Sequence, residues 1–174
     1  MSEVDHENSA RDADGRKPDR SAAEQQTLID ALRDICEQRI TFNRVLGLRL
    51  LPLDHEDRIE IHFDMSPDLV GHFLHGRLHG GVIASALDVA GGMSVMWSIA
   101  NDHPGDSSEA VLARFVNLGT VDIRVDYLRQ GIGRHFIASA ETLRLGRRIG
   151  STAMRLHNDE GKLIAAASGA YIVS

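Results

Sequence analysis

The chain has 174 residues, 43% of them apolar, and a net charge of -6. That length and apolar content suit one domain with its own core, and the acidic balance excludes a broad electrostatic grip on nucleic acid or an anionic membrane, both of which need clustered Lys and Arg. The single cysteine, Cys36, excludes an internal disulfide.

Residues 1–22 interleave charges with almost no large apolar side chains, too little to offset the entropy of ordering, so a disordered tail is expected ahead of a domain over 23–174. From Ala23 to Gln38, Leu28, Ile29, Leu32, Ile35 and Cys36 recur at spacings of three and four and predict a helix, with Cys36 a buried thiol on its apolar side. Phe42 to Leu53 is mostly apolar. After the polar break Asp54-His55-Glu56-Asp57, the run Arg58 to Asp64 alternates with period two, and the two segments together predict a hairpin with one wet face. Ser66 to Leu78 mixes Pro67, Gly71 and Gly76 with histidines and reads as a loop approaching a site.

Residues 80–100 are rich in Ala, Val, Ile and Met, with Asp88 as the one charge, which predicts a helix surrounded by protein. Gly91 and Gly92 each weaken such a helix by about 1 kcal/mol relative to Ala, a cost that close backbone approach can offset. Asn101 to Leu118 is polar, turns weakly helical from Ser107 to Phe115, and reads as an insertion or flap. Beyond it Val121, Ile123, Val125 and Tyr127 alternate with Asp122, Arg124 and Asp126. Phe136 to Leu145, Ile149 to His157 and Leu163 to Val173 follow after short breaks, the pattern of an antiparallel meander. No basic stretch with a following apolar run stands at the N-terminus, and no segment approaches roughly 18 uninterrupted apolar residues. The cytoplasm is the expected location.

Asp88 is the first candidate for chemistry, because a carboxylate is almost never buried without a partner or a task; the bland alternative is an internally paired acid. Nine residues upstream, His79-Gly80-Gly81 places the free N–H groups of a helix start beside a loop, where they and the helix dipole favour a developing negative charge. On one continuous helix Gly80 and Asp88 stand about 12 Å apart, too far to touch one carbonyl carbon. A two-fold dimer with these helices antiparallel would bring Gly80 of one subunit to Asp88 of the other.

The segment LHGGVIASALDVAGG (Leu78 to Gly92), followed by GTVDIRVDYLRQG (Gly119 to Gly131), resembles the PaaI-type branch of the hotdog-fold acyl-CoA thioesterases, and within it the YigI-like medium- and long-chain acyl-CoA thioesterases. Phe42-Asn43-Arg44 and Leu46-Gly47 are weaker matches near the start of the similar region. The resemblance implies an α+β hotdog fold, a six-stranded antiparallel sheet wrapped around a long central helix, paired in a homodimer or a dimer of dimers. It implies hydrolysis of a fatty or aromatic acyl-CoA without a cofactor. Gly80 matches the residue whose N–H polarises the thioester carbonyl, His79 and Gly81 its neighbours in that corner, Asp88 the nucleophile or general base, and Thr120 a hydroxyl that holds the hydrolytic water. A strand-start hydroxyl bonded to backbone is the plain alternative for Thr120. Many PaaI-type enzymes carry Asn six residues before this histidine; here Phe73 stands there, and His72 or His75 would have to supply the polar group.

Three further readings compete. His72, His75 and His79 invite a metal site, but Gly71 and Gly76 argue for a loop, and the family needs no metal. Arg147 and Arg148, in a turn, suit CoA phosphates or a solvated surface. Beside hydrolysis stand a hydroxyacyl-thioester dehydratase with His79 as base, and a non-enzymatic acyl-CoA sensor.

Overall fold

The structure is a computed structural model, and it describes residues 19–53 and 58–173. Helix α1 (Ala22–Asp34) passes into a π turn (Ile35–Arg39) and then α2 (Thr41–Leu46), followed by β1 (Arg49–Leu50) and β2 (Arg58–Asp64). A 3-10 turn (Pro67–Leu69) leads to β3 (Val70–His72) and β4 (Arg77–Leu78), the long α3 (Gly80–Asp102) and the short α4 (Ser108–Ala113). Strands β5 (Gly119–Tyr127), β6 (His135–Leu145), β7 (Ile149–Asn158) and β8 (Leu163–Ile172) complete the chain.

Alternation sorts the sheet into two faces. On β7 Gly150, Thr152, Met154 and Leu156 are buried, whereas Ile149 and Arg155 are exposed. Six antiparallel strands in the order β1-β2-β6-β7-β8-β5 turn their apolar face onto α3, which packs chiefly on β6 and β7. Ile59, Ile61 and Phe63 of β2 and Phe136 and Ala138 of β6 meet Ile83, Leu87, Ala90 and Met93 of α3 in one continuous core. Phe63 and Phe136 are cross-strand partners with ring centroids 5.4 Å apart. Each such side chain contributes roughly 1.5–3 kcal/mol on burial. By length and composition α3 could cross a bilayer, yet 61% of its most apolar window is buried inside the protein. This is the sheet and central helix that the resemblance implies.

Several segments differ from expectation. Thr41–Leu46 is helical, not a strand, and Gly47 at φ +66° ends it with left-handed backbone, its N–H donating back to the Arg44 and Asn43 carbonyls. Its apolar residues include Phe42 and Val45, which are exposed, so their abundance did not signal a buried face. Only Arg49 and Leu50 then pair with β2. The expected loop at Ser66–Leu78 contains the small β3–β4 hairpin. The stretch read as a flap is docked: Val111 and Phe115 are buried, and the Glu24 carboxylate of α1 accepts from Ser108 N at 2.9 Å and Ser108 Oγ at 2.7 Å. The same two hydrogen bonds hold Glu24 below the usual carboxylate range. Of the expected tail, residues 1–18 lie outside the described residues. Arg20 donates to the carbonyls of Ala100 and His103, and Ser21 caps α1. Cys36 is fully buried, which pushes its thiol up to about 12.

The two central glycines of α3 are not equivalent. A Cβ on Gly91 would stand 2.2 Å from the Tyr171 hydroxyl oxygen and 2.7 Å from Met154 Sδ, while one on Gly92 would meet nothing nearer than 3.8 Å. Gly92→Ala is therefore expected to raise stability by up to about 1 kcal/mol. Gly91→Ala should lower it by roughly 1–3 kcal/mol through overpacking, both readable by urea denaturation.

Candidate active site

His79 is the N-cap of α3, with extended backbone and its Nδ1 accepting from Gly81 N–H at 2.9 Å. That bond places the proton of a neutral ring on Nε2. The His79 carbonyl accepts from Val82 and Ile83, and the Gly80 N–H, one of the orphan donors of the first helical turn, has no acceptor among the described residues. The corner is held from two sides. His79 N–H donates to the Leu69 carbonyl at 2.9 Å, and Gly71 lies so close that a Cβ there would come within 2.5 Å of His79 Cα. Tyr127, at the end of β5, donates its hydroxyl to the Gly80 carbonyl at 3.1 Å. An open cleft of about 360 Å³ borders this corner, lined by Arg77, Leu78, Gly80, Ile83, Tyr127 and Arg129 among others.

Asp88 lies on the same helix, about 12 Å further along its axis. Its Oδ1 accepts from Thr120 Oγ1 at 2.8 Å and from the Tyr171 hydroxyl at 3.2 Å. It forms no ion pair among the described residues. Burial first, and then the Asp88 carboxylate, push the Tyr171 phenol far above the usual tyrosine range, so it remains a hydrogen-bond donor. Strand β5 thus runs antiparallel to the first half of α3, touching Asp88 with its first residues and Gly80 with its last. Among the described residues its other edge has no partner strand.

Of the residues singled out in the sequence, Asp88 and Thr120 come together, and so do His79, Gly80 and Gly81. Within one chain the two groups stay apart, as the helix rise requires. His72 ends β3, and Phe73 and His75 lie in the β3–β4 turn: the His72 ring stacks on His75 at 4.8 Å and on Phe73 at 5.8 Å, and Phe73 is 87% exposed. His72 Nδ1 is buried without a partner, and no group of three potential metal ligands converges among the described residues. Arg147 and Arg148 lie in the β6–β7 turn. Arg147 borders a cleft of about 730 Å³ with Arg114, Asn117 and His103, at the far end of α3 from Gly80. Tyr171 escaped the sequence reading. Its signals were a lone aromatic two residues beyond Gly169 in an alanine-rich strand, and Gly91 three residues after Asp88 on the same helical face.

The thioesterase superfamily model matches residues 75–165. The chain is 41% identical over 132 residues to the medium/long-chain acyl-CoA thioesterase YigI of Escherichia coli (strain K12), spanning 76% of this chain and 84% of that protein. The YigI of Salmonella typhimurium (strain LT2) is 40% identical over the same length and shares. A crystal structure from Shewanella oneidensis, described as related to the thioesterase superfamily, superposes with a TM-score of 0.82 at 34% identity, covering 89% of this chain and all (100%) of that one. A thioesterase family protein from Silicibacter pomeroyi shares the fold, with a TM-score of 0.65 at 22% identity over 86% of this chain and 96% of its own.

The cap geometry predicts that His79→Ala destabilises the fold by about 1 kcal/mol in urea denaturation. His79→Asn, which keeps an acceptor for Gly81 N–H, should recover at least half of that loss.

Proposed function

Because the chain belongs to the thioesterase superfamily and is a thioester hydrolase, we propose that it cleaves medium- to long-chain acyl-CoA into free acid and CoA, at a centre shared by two subunits. The carrying observation is Asp88, a carboxylate set in an apolar helix, oriented by hydroxyl groups and paired with no cation among the described residues. In this reading Asp88 attacks the carbonyl carbon, or takes a proton from the water that does. The C–S bond breaks, CoA leaves as thiolate, water supplies the hydroxyl of the acid, and a proton goes to the sulfur. The Gly80 N–H, at the positive end of α3, donates a hydrogen bond to the carbonyl oxygen and stabilises the negative charge that gathers there. Thr120 donates its hydroxyl hydrogen bond to Asp88 Oδ1 and keeps its lone pairs for the water.

The second subunit enters through β5. Its free edge and the exposed Val121, Tyr127 and Leu128 suit pairing with a second copy of itself. Antiparallel pairing about a two-fold axis near Ile123 and Arg124 sets Thr120 beside the mate's Tyr127. Asp88, which Thr120 touches, then faces the mate's Gly80, which Tyr127 touches. Ile149 and Ile172, cross-strand partners on the outer face, leave apolar surface suited to joining two such dimers. Arg147 and Arg148 are assigned to CoA phosphates, His72, Phe73 and His75 to the rim around Gly80, and the cytoplasm is the proposed location.

Steady-state release of CoA thiol across a panel of acyl-CoA chain lengths tests this reading. Rates should rise from short to medium and long chains, and Asp88→Ala should lose about a hundredfold or more. An Asp88→Ala enzyme with the parent rate would remove the proposed mechanism.

A further inference from the structure

We propose that Tyr171 is a positioning residue for the reaction: with Thr120 it pins Oδ1 of Asp88 to the β5–β8 ladder, so that Oδ2 alone is presented to the thioester carbonyl or to the attacking water. This rests on the reading of Asp88 as the catalytic carboxylate. Thr120 and Tyr171 are cross-strand partners in β5 and β8, and both hydroxyl groups reach the same oxygen, at 2.8 and 3.2 Å. Two donors fixed in one hydrogen-bonded ladder hold the plane of the carboxyl group, which a single donor would leave free to turn.

Tyr171 is 1% exposed, and its ring occupies a slot made by two absent side chains. A Cβ on Gly91 would lie 2.2 Å from the hydroxyl oxygen, and one on Gly169 would lie 3.0 Å from Cε2. Keeping glycine in the middle of α3 lowers helix stability, and what the space admits is a phenol aimed at Asp88. The single phenolic proton has three acceptors in range: Asp88 Oδ1, the Asp88 carbonyl at 3.1 Å and Met154 Sδ at 3.7 Å. An ionised carboxylate is the strongest of the three. Tyr171 is buried beneath the carboxylate, so it acts on the geometry of Asp88 and not on substrate affinity. Misplacement of a reacting group by about 1 Å costs on the order of a hundredfold in rate.

Two measurements on the full-length enzyme test the role. Tyr171→Phe keeps the ring in its slot and deletes the hydroxyl; kcat is expected to fall about tenfold or more while KM stays within about twofold. A merely structural tyrosine would change unfolding and leave kcat intact, and that result overturns the proposal. The second measurement reads the contact without turnover. Urea unfolding of Tyr171→Phe, Asp88→Ala and the double variant forms a double-mutant cycle, and the two changes are expected to be non-additive because the residues share a hydrogen bond. Strictly additive effects would refute the contact. If Asp88→Ala retains the parent rate, the hydrolytic reading and the positioning role both fall, whereas the cycle still reports whether phenol and carboxylate meet.

Discussion

A carboxylate stands in the middle of an apolar helix, and the surrounding structure is arranged to make that tolerable. Burying an unpaired charge is costly enough that most proteins neutralise it with a cation or leave it at the surface. Here two hydroxyl groups from neighbouring strands meet the half-buried Asp88, and no basic side chain quenches it among the described residues. The strand order follows from the same need. Placing β5 beside β8 puts Thr120 and Tyr171 opposite each other at the level of Asp88, and Gly91 opens the helix surface for the phenol.

Helix geometry imposes the second constraint. The capped start of α3 offers the unengaged Gly80 N–H, and the carboxylate sits more than two turns away on the same rigid rod. No side-chain motion within one subunit closes that distance. Strand β5 links the two features by touching one at each of its ends, and a two-fold axis through its free edge exchanges those ends. In the proposed dimer, association is part of the reaction centre, and the exposed apolar residues of β5 become interface.

Much of this was legible in the sequence because the strongest signals were also the most local. Alternation marked β5, and runs between short breaks marked β6 to β8, to within a residue or two, but the expected meander holds only for β6 to β8, because β5 lies at the far edge beside β8. The long apolar run with one acid marked α3 and singled out Asp88. His79-Gly80-Gly81 announced the helix start through residue chemistry alone. What stayed hidden depended on tertiary contact. The α2 helix is six residues long with two apolar side chains facing outward, so it has no periodic signature. Tyr171 sits in a strand whose own pattern says nothing about a helix carboxylate 83 residues away in sequence. The phenol's hydrogen bonds to Asp88, and the clash that a Cβ on Gly91 would cause, tie the two elements together only in the folded chain.

The shared centre is tested most directly by mixing two inactive variants. Asp88→Ala removes the carboxylate. Gly80→Pro removes the N–H at the first helical position, where proline is tolerated, and His79 already has the extended backbone that a following proline demands. In a mixed dimer one centre combines an intact Gly80 with an intact Asp88 from different subunits, and the other combines both defects. Co-refolding equal amounts should therefore restore about a quarter of the parent activity by statistical pairing. A mixture no more active than its separate components would show that each subunit works alone and would contradict the account.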